Sequence, residues 1–210
     1  MLREEIVAAG REILRSGQVV GTWGNVSARE SAGNAYWITP TAMGYETLTV
    51  EDLVLLNLDQ QIVQGRRKPS SESLLHQEIY RSRSDVQGIV HTHSIYASAL
   101  AVAGVPLPGI TADLAQITGA PILVAPFELP GSRELAQRAV EALENRNAVL
   151  LANHGMIGVG RDVAEAVRVC QVVEKSAQIY CVAQALAKPQ EINQRQLDVL
   201  RDKYLFDYKQ

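Results

Sequence analysis

The chain has 210 residues, 47% of them apolar, and a formal charge of -3 from 20 basic and 23 acidic side chains. That length and apolar content suit one globular domain, residues 1–210, with a full core. With both signs of charge spread along the chain and no basic patch, nucleic acid and anionic membrane are excluded as partners.

Leu2, Ile6, Ala9, Ile13 and Leu14 recur at helical spacing, so residues 2–16 are expected to form an amphipathic helix closed by Gly17. GTWGNVSAR, ESAGN and AYWIT then read as a turn, a strand, a hairpin loop and a second strand. TPTAMGYETLTVED is a loop ending at a Thr49 cap and a short helical turn, followed by strands at 53–58 and 62–64. In SSESLLHQEIYRSR, Ser70 or Ser71 is expected to cap a helix that carries Leu74, Leu75 and Ile79 on one side, with Glu72 in its first turn. His76 lies inside this helix and reads as a packing residue.

QGIVHTHS, residues 87–94, is expected to be a buried strand. Helix 96–103 ends at Gly104; 112–118 and strand 122–125 follow. Helix 130–145 is capped by Ser132, and 148–152 is an apolar strand leading into His154 and the short strand MIGVG. Asp162 caps the longest helix, which runs to about residue 187 before Pro189, and residues 191–204 suggest a last helix. Cys170 and Cys181 lie on the long helix about 16 Å apart at 1.5 Å per residue, beyond disulfide reach. Both are read as buried, inert thiols of a reduced, cytoplasmic chain, which has no apolar run of ~18 residues and no leader-like segment after Met1. Helix, meander, then alternating strand and helix imply a three-layer αβα architecture with a central mixed, largely antiparallel sheet.

Residues two apart on a strand share a face, so His91 and His93 project together while Thr92 faces away. Alone, the pair reads either as metal ligands or as hydrogen-bonded surface histidines. His154, also just past an apolar strand and followed by Gly155, supplies a third imidazole. Three strand-end histidines leave an open position, as in a catalytic rather than a structural zinc site. GTWGNVS, TPTAMGY and PSSE add three small polar loops, and the Ser70 and Ser71 hydroxyls at a helix start suit a phosphate. Glu72 satisfies a helix dipole wherever it points. Between a phosphate nest and a metal it also stands where a proton-transferring group is needed.

TWGNVS, TPTAMGYETL, KPSSE, HTHS and NHG, in this order and spacing, resemble the class II aldolase and adducin head family from about residue 2 to 187, on its aldolase branch. The resemblance implies zinc-dependent, reversible cleavage of a ketose 1-phosphate, fuculose 1-phosphate or a related pentulose or deoxypentulose 1-phosphate, to dihydroxyacetone phosphate and a short aldehyde. It implies one zinc per subunit, although another divalent metal can serve, and a C4 homotetramer with active sites between subunits. By resemblance His91, His93 and His154 are the zinc ligands, and Glu72 is the catalytic acid/base that joins them when substrate is absent. Thr22, Asn25, Thr41, Ala42, Ser70 and Ser71 match the phosphate-binding positions. Ala42 stands where the family often has glycine, and should still offer its backbone NH if its φ is negative. The family's catalytic tyrosine aligns with Ala112, so Asp113, Tyr204 and Tyr208 are the candidates for proton transfer on the aldehyde side. Two alternatives remain: a pentulose 5-phosphate 4-epimerase, favoured by ITAD ending in Asp113, and a metal-free adducin-like assembly module, disfavoured by the three histidines. Glu72 after PSS and the length of APFELPGSREL favour the aldolase.

Overall fold

A computed structural model describes residues 1–31 and 33–207; Tyr208 lies outside the described residues. Eight strands form one sheet: β1 (Asn25–Arg29), β2 (Ala35–Ile38), β3 (Val54–Asn57), β4 (Ile62–Gln64), β5 (Gly88–Thr92), β6 (Val124–Ala125), β7 (Ala148–Leu151) and β8 (Gly155–Gly160). Their order is β4-β3-β2-β1-β5-β8-β7-β6, and every neighbouring pair is antiparallel except β6 with β7.

The two-residue period of the strands divides the core into two layers. Val26, Ala28, Val90 and Leu150 point to one face, where they meet α1 (Leu2–Arg15), α3 (Ile95–Ala103), α4 (Ala112–Thr118) and α6 (Val163–Leu186). Ile89, Val149 and Leu151 point to the other, where they meet α2 (Ser73–Ser82) and α5 (Arg133–Leu143). Ile6 and Ile13 of α1 are fully buried, each worth about 1.5–3 kcal/mol relative to exposure. The final helix, α7 (Gln194–Asp202), packs on α4, and Lys203–Asp207 continues it as a π-type turn.

Three local expectations are corrected. α2 begins at Ser73 with Glu72 itself in the cap position, so neither serine is the cap; the Ser70 hydroxyl instead accepts from the Glu72 NH at 3.2 Å. The strand expected at 122–125 shortens to Val124–Ala125, because Ile122 exchanges both backbone hydrogen bonds with Leu107 in an isolated bridge. Cys170 is buried as expected, but Cys181 is only partly so. Burial pushes the Cys170 thiol up to about 12 and raises Cys181 as well, which leaves both unreactive. Among the described residues, no helix is long and apolar enough to cross a membrane.

Candidate active site

The site forms where β5 and β7 end. β5 stops at Thr92, so His91 is in the strand and His93 just beyond it; the His93 NH is tied to the Gln18 carbonyl at 3.0 Å, which holds the loop after the strand in place. His154 follows Asn153, which turns the chain through the left-handed region (φ 55°), a conformation asparagine tolerates. Gly155 lets this turn close, since a Cβ there would lie 2.9 Å from His93 Cδ2. The three imidazoles face one another at centroid separations of 4.7, 4.8 and 5.0 Å, each pair steeply inclined.

The ligand atoms of His91, His93 and His154 all lie within 4.8 Å of one another, a group able to hold a metal ion. His91 Nδ1 faces the Met156 carbonyl at 2.9 Å; an NH donated there turns the Nε2 lone pair to the centre, as the outer contacts of metal-ligating histidines do. His91 Nε2 and His93 Nε2 stand 2.8 Å apart. Glu72 adds a carboxylate, with Oε2 3.1 Å from His91 Nε2 and Oε1 3.3 Å from His154 Nε2. Glu72 Oε1 and His154 Nδ1 are buried, with no hydrogen-bond partner among the described residues. Converging imidazole nitrogens, a buried carboxylate and an unpartnered oxygen fit a divalent cation, since imidazole and carboxylate are its usual donors.

Electrostatics point the same way for His93 and His154, and without a cation they favour the charged form of His91. Burial lowers His93 to about 3 and His154 to about 4, with His91 contributing in each case, so both stay neutral, the form that binds a metal. Burial opposes ionisation of Glu72, but His91, His154 and Asn25 outweigh it and hold the carboxyl below the usual range. Burial likewise opposes a charge on His91, and Glu72 more than offsets it.

A cavity of about 340 Å³ opens above Glu72, His93 and His154. Its wall contains all six residues matched to phosphate binding: Thr22, Asn25, Thr41, Ala42, Ser70 and Ser71. Two loops are stitched together to make it, through Thr41 NH to the Lys68 carbonyl (3.1 Å) and Ser70 NH to the Thr39 carbonyl (3.1 Å). Gly24 lies against the His91 carbonyl, 2.6 Å from where a Cβ would sit, at φ 76°; no other residue suits both demands. The condition set on Ala42 is not met: its φ is +55°. The loop keeps the left-handed conformation that glycine favours and bears a Cβ there.

The candidates for the aldehyde side stand elsewhere within the chain. Asp113, in the first turn of α4, pairs with Lys175 of α6, and Tyr204 donates to Glu165 Oε1 at 2.7 Å; neither lines the cavity. Two residues of the site escaped the sequence reading. Trp23, 65% exposed, stacks over His93 with centroids 6.0 Å apart. His76 is more than packing: fully buried, it has both ring nitrogens in polar contact, one with Ser27 and the other with Asn25 beside Glu72. Its signal was the spacing Glu72, His76, Tyr80, one per helical turn.

Fold and site together define a three-layer α/β enzyme built around a candidate metal centre. The profile described as Class II Aldolase and Adducin N-terminal domain matches residues 4–181, and the chain belongs to that family. It is 38% identical over 202 residues to the 5-deoxy-D-ribulose 1-phosphate aldolase of Bacillus thuringiensis serovar kurstaki, covering 96% of this chain and 94% of that one. It is 35% identical over 188 residues to the L-fuculose phosphate aldolase of Escherichia coli strain K12, covering 90% and 86%. The solved structure of an L-fuculose 1-phosphate aldolase superposes with a TM-score of 0.94 at 31% identity, over 98% of this chain and 96% of that one. The chain is a class II aldolase, an aldehyde-lyase.

Proposed function

We propose that the enzyme reversibly cleaves a ketose 1-phosphate, 5-deoxyribulose 1-phosphate or a fuculose 1-phosphate-like sugar, to dihydroxyacetone phosphate and a short aldehyde. The observation that carries this reading is the meeting of His91, His93, His154 and Glu72 at one end of a cavity walled by Thr41, Ser70 and Ser71. The relatives named for 5-deoxyribulose 1-phosphate and fuculose phosphate support the substrate class.

His91, His93 and His154 would hold one divalent cation, zinc by preference for three imidazoles with an open position, with Glu72 beside them when substrate is absent. Bound there, the cation supplies a Lewis acid that lowers the energy of negative charge on the donor-half oxygens as the carbon–carbon bond breaks. The Thr22, Thr41, Ser70 and Ser71 side chains and the Ala42 NH grip the phosphate. Asn25 directs one amide NH to Glu72 and its oxygen to His76, which leaves its other NH for the phosphate. Glu72, ionised at rest, removes the C3 proton of dihydroxyacetone phosphate in the condensation direction. By microscopic reversibility it returns that proton in cleavage.

The aldehyde side is completed by a neighbouring copy in a homotetramer. Supporting this, Asp113 stands away from its own chain's cavity, while Val20, Trp23, Ile95 and Leu129, adjoining site residues in sequence, are exposed. We further place the enzyme, as one domain over residues 1–210, in the cytoplasm, where its free cysteines stay reduced. A substrate screen tests the reading: ketose 1-phosphates should release dihydroxyacetone phosphate, detected by a coupled reductase. Interconversion of ribulose and xylulose 5-phosphates without that release would replace the aldolase with the epimerase.

A further inference from the structure

Behind Glu72 a line of buried polar side chains runs into the core, and its hydrogen-bond directions follow from one fixed end. Glu72 is an ionised carboxylate and only accepts. The Asn25 side-chain nitrogen, 2.9 Å from Glu72 Oε2, must therefore be the donor. This turns Asn25 Oδ1 to His76 Nε2 at 2.5 Å, and an amide oxygen facing a ring nitrogen requires the proton on Nε2. His76 Nδ1 is then an acceptor, so Ser27 Oγ, at 2.6 Å, donates to it. With that proton committed, Ser27 accepts from the Tyr80 hydroxyl at 2.8 Å. Burial lowers His76 to about 3, which agrees with a neutral ring donating through one nitrogen and accepting through the other.

Two periodicities mesh to build this line. Asn25 and Ser27 share one face of β1, while Glu72, His76 and Tyr80 are spaced four apart along α2. Ser27, His76 and Tyr80 are all at most 1% exposed, so water cannot compete for their directions.

We propose that His76 is a positioning residue for the aldolase reaction: its Nε2–H tautomer orients the Asn25 amide, which binds Glu72 Oε2 and leaves Oε1 for proton transfer. Glu72 Oε1 is the carboxylate oxygen with no hydrogen-bond partner among the described residues. Without the His76 donor, the Asn25 amide can turn its oxygen toward Glu72 and the carboxylate loses its fixed aim. The inference rests on Glu72 as the proton-transferring group.

The test follows 5-deoxyribulose 1-phosphate cleavage in metal-loaded enzyme, with histidine ¹⁵N NMR as a readout independent of turnover. His76→Leu should lower kcat about 10–100-fold, the usual range for outer groups that orient a site, with KM within about threefold; His76→Gln, which keeps an NH for Asn25, should recover most of kcat. In a Glu72→Gln background His76→Leu should add no further loss of kcat, because its effect on proton transfer runs through the carboxylate, while its effect on the Asn25 NH at the phosphate is read in KM. The NMR spectrum should contain one histidine fixed as Nε2–H that is absent in His76→Gln. Full, multiplicative loss in the Glu72→Gln background, or an Nδ1–H tautomer for His76, would overturn the inference while leaving Glu72 in its role. Wild-type turnover by Glu72→Gln would instead remove the reading on which it rests. Should His76→Leu fail to fold, Tyr80→Phe takes its place, with a smaller loss expected in the wild-type background and none in Glu72→Gln; no loss in the wild-type background, or equal loss in both, counts against the proposal.

Discussion

Two buried carboxylates stand at opposite ends of β5 and on opposite faces of the sheet, and they differ in how their oxygens are engaged. Glu165, at the start of α6, is 3% exposed and both its oxygens are engaged: Oε2 accepts from the Arg161 NH at 2.8 Å and Oε1 from the Tyr204 hydroxyl at 2.7 Å. Glu72 is 7% exposed, yet among the described residues only Oε2 has a hydrogen bond, while Oε1 faces His154 without one. A buried polar atom left unsatisfied costs about 1–3 kcal/mol. The chain's own donors satisfy both oxygens of Glu165 but only one oxygen of Glu72. Burial alone would have ranked the two alike.

The strongest way to break this contrast is to remove a candidate metal ligand beside Glu72. His93→Ala should abolish metal binding and reduce turnover to background, a loss of several kcal/mol in transition-state stabilisation. Metal analysis of the purified protein should find about one equivalent in the wild type, and full occupancy in the mutant would sink the triad. Glu72→Gln comes next, with kcat lower by roughly 10²-fold or more and metal content retained through the histidines. Turnover near wild type would reduce Glu72 to a helix-dipole residue.

Glu165→Gln sharpens the contrast from the other side. It should leave kcat within about twofold but cost about 2 kcal/mol of stability through its broken hydrogen bonds, a fall in Tm of roughly 4–8 °C by thermal denaturation. A large loss of turnover at unchanged Tm would make this end of the strand functional too. Ala42→Gly should have the smallest effect: relieving the left-handed alanine, worth roughly 1–2 kcal/mol, is partly offset by the freer unfolded chain. Net stabilisation of about 1 kcal/mol or less, read by denaturant titration, is expected. Destabilisation would mean that the alanine methyl is a packing contact.

Several features were legible because they depend on local pattern. The amphipathic spacing of Leu2, Ile6 and Ile13 marks α1, which the structure bounds at Leu2–Arg15. Ser132 and Asp162 mark helix starts, and each accepts a capping hydrogen bond from the NH three residues on, Leu135 and Glu165 respectively. The order TWGNVS, TPTAMGYETL, KPSSE, HTHS, NHG pointed to the family that the profile match establishes. Boundaries that depend on distant partners were not legible: Ile122 leaves its expected strand because Leu107 claims both its backbone groups.

By itself, then, the sequence determined the fold class, because side-chain periods of 2 and 3.6 report which face each residue occupies, while the order and spacing of its motifs carried the resemblance to the family and with it the candidate ligands. Only the tertiary structure decided which faces meet. It brought His154 to His91 and His93, turned Ala42 into the left-handed region, and tied Tyr204 to Glu165. It also joined His76 to Asn25, residues 51 apart, in a line ending at Glu72. A residue's face is a property of its own segment, but a hydrogen bond between β1 and α2 depends on their relative register. That register is set by packing of the whole core.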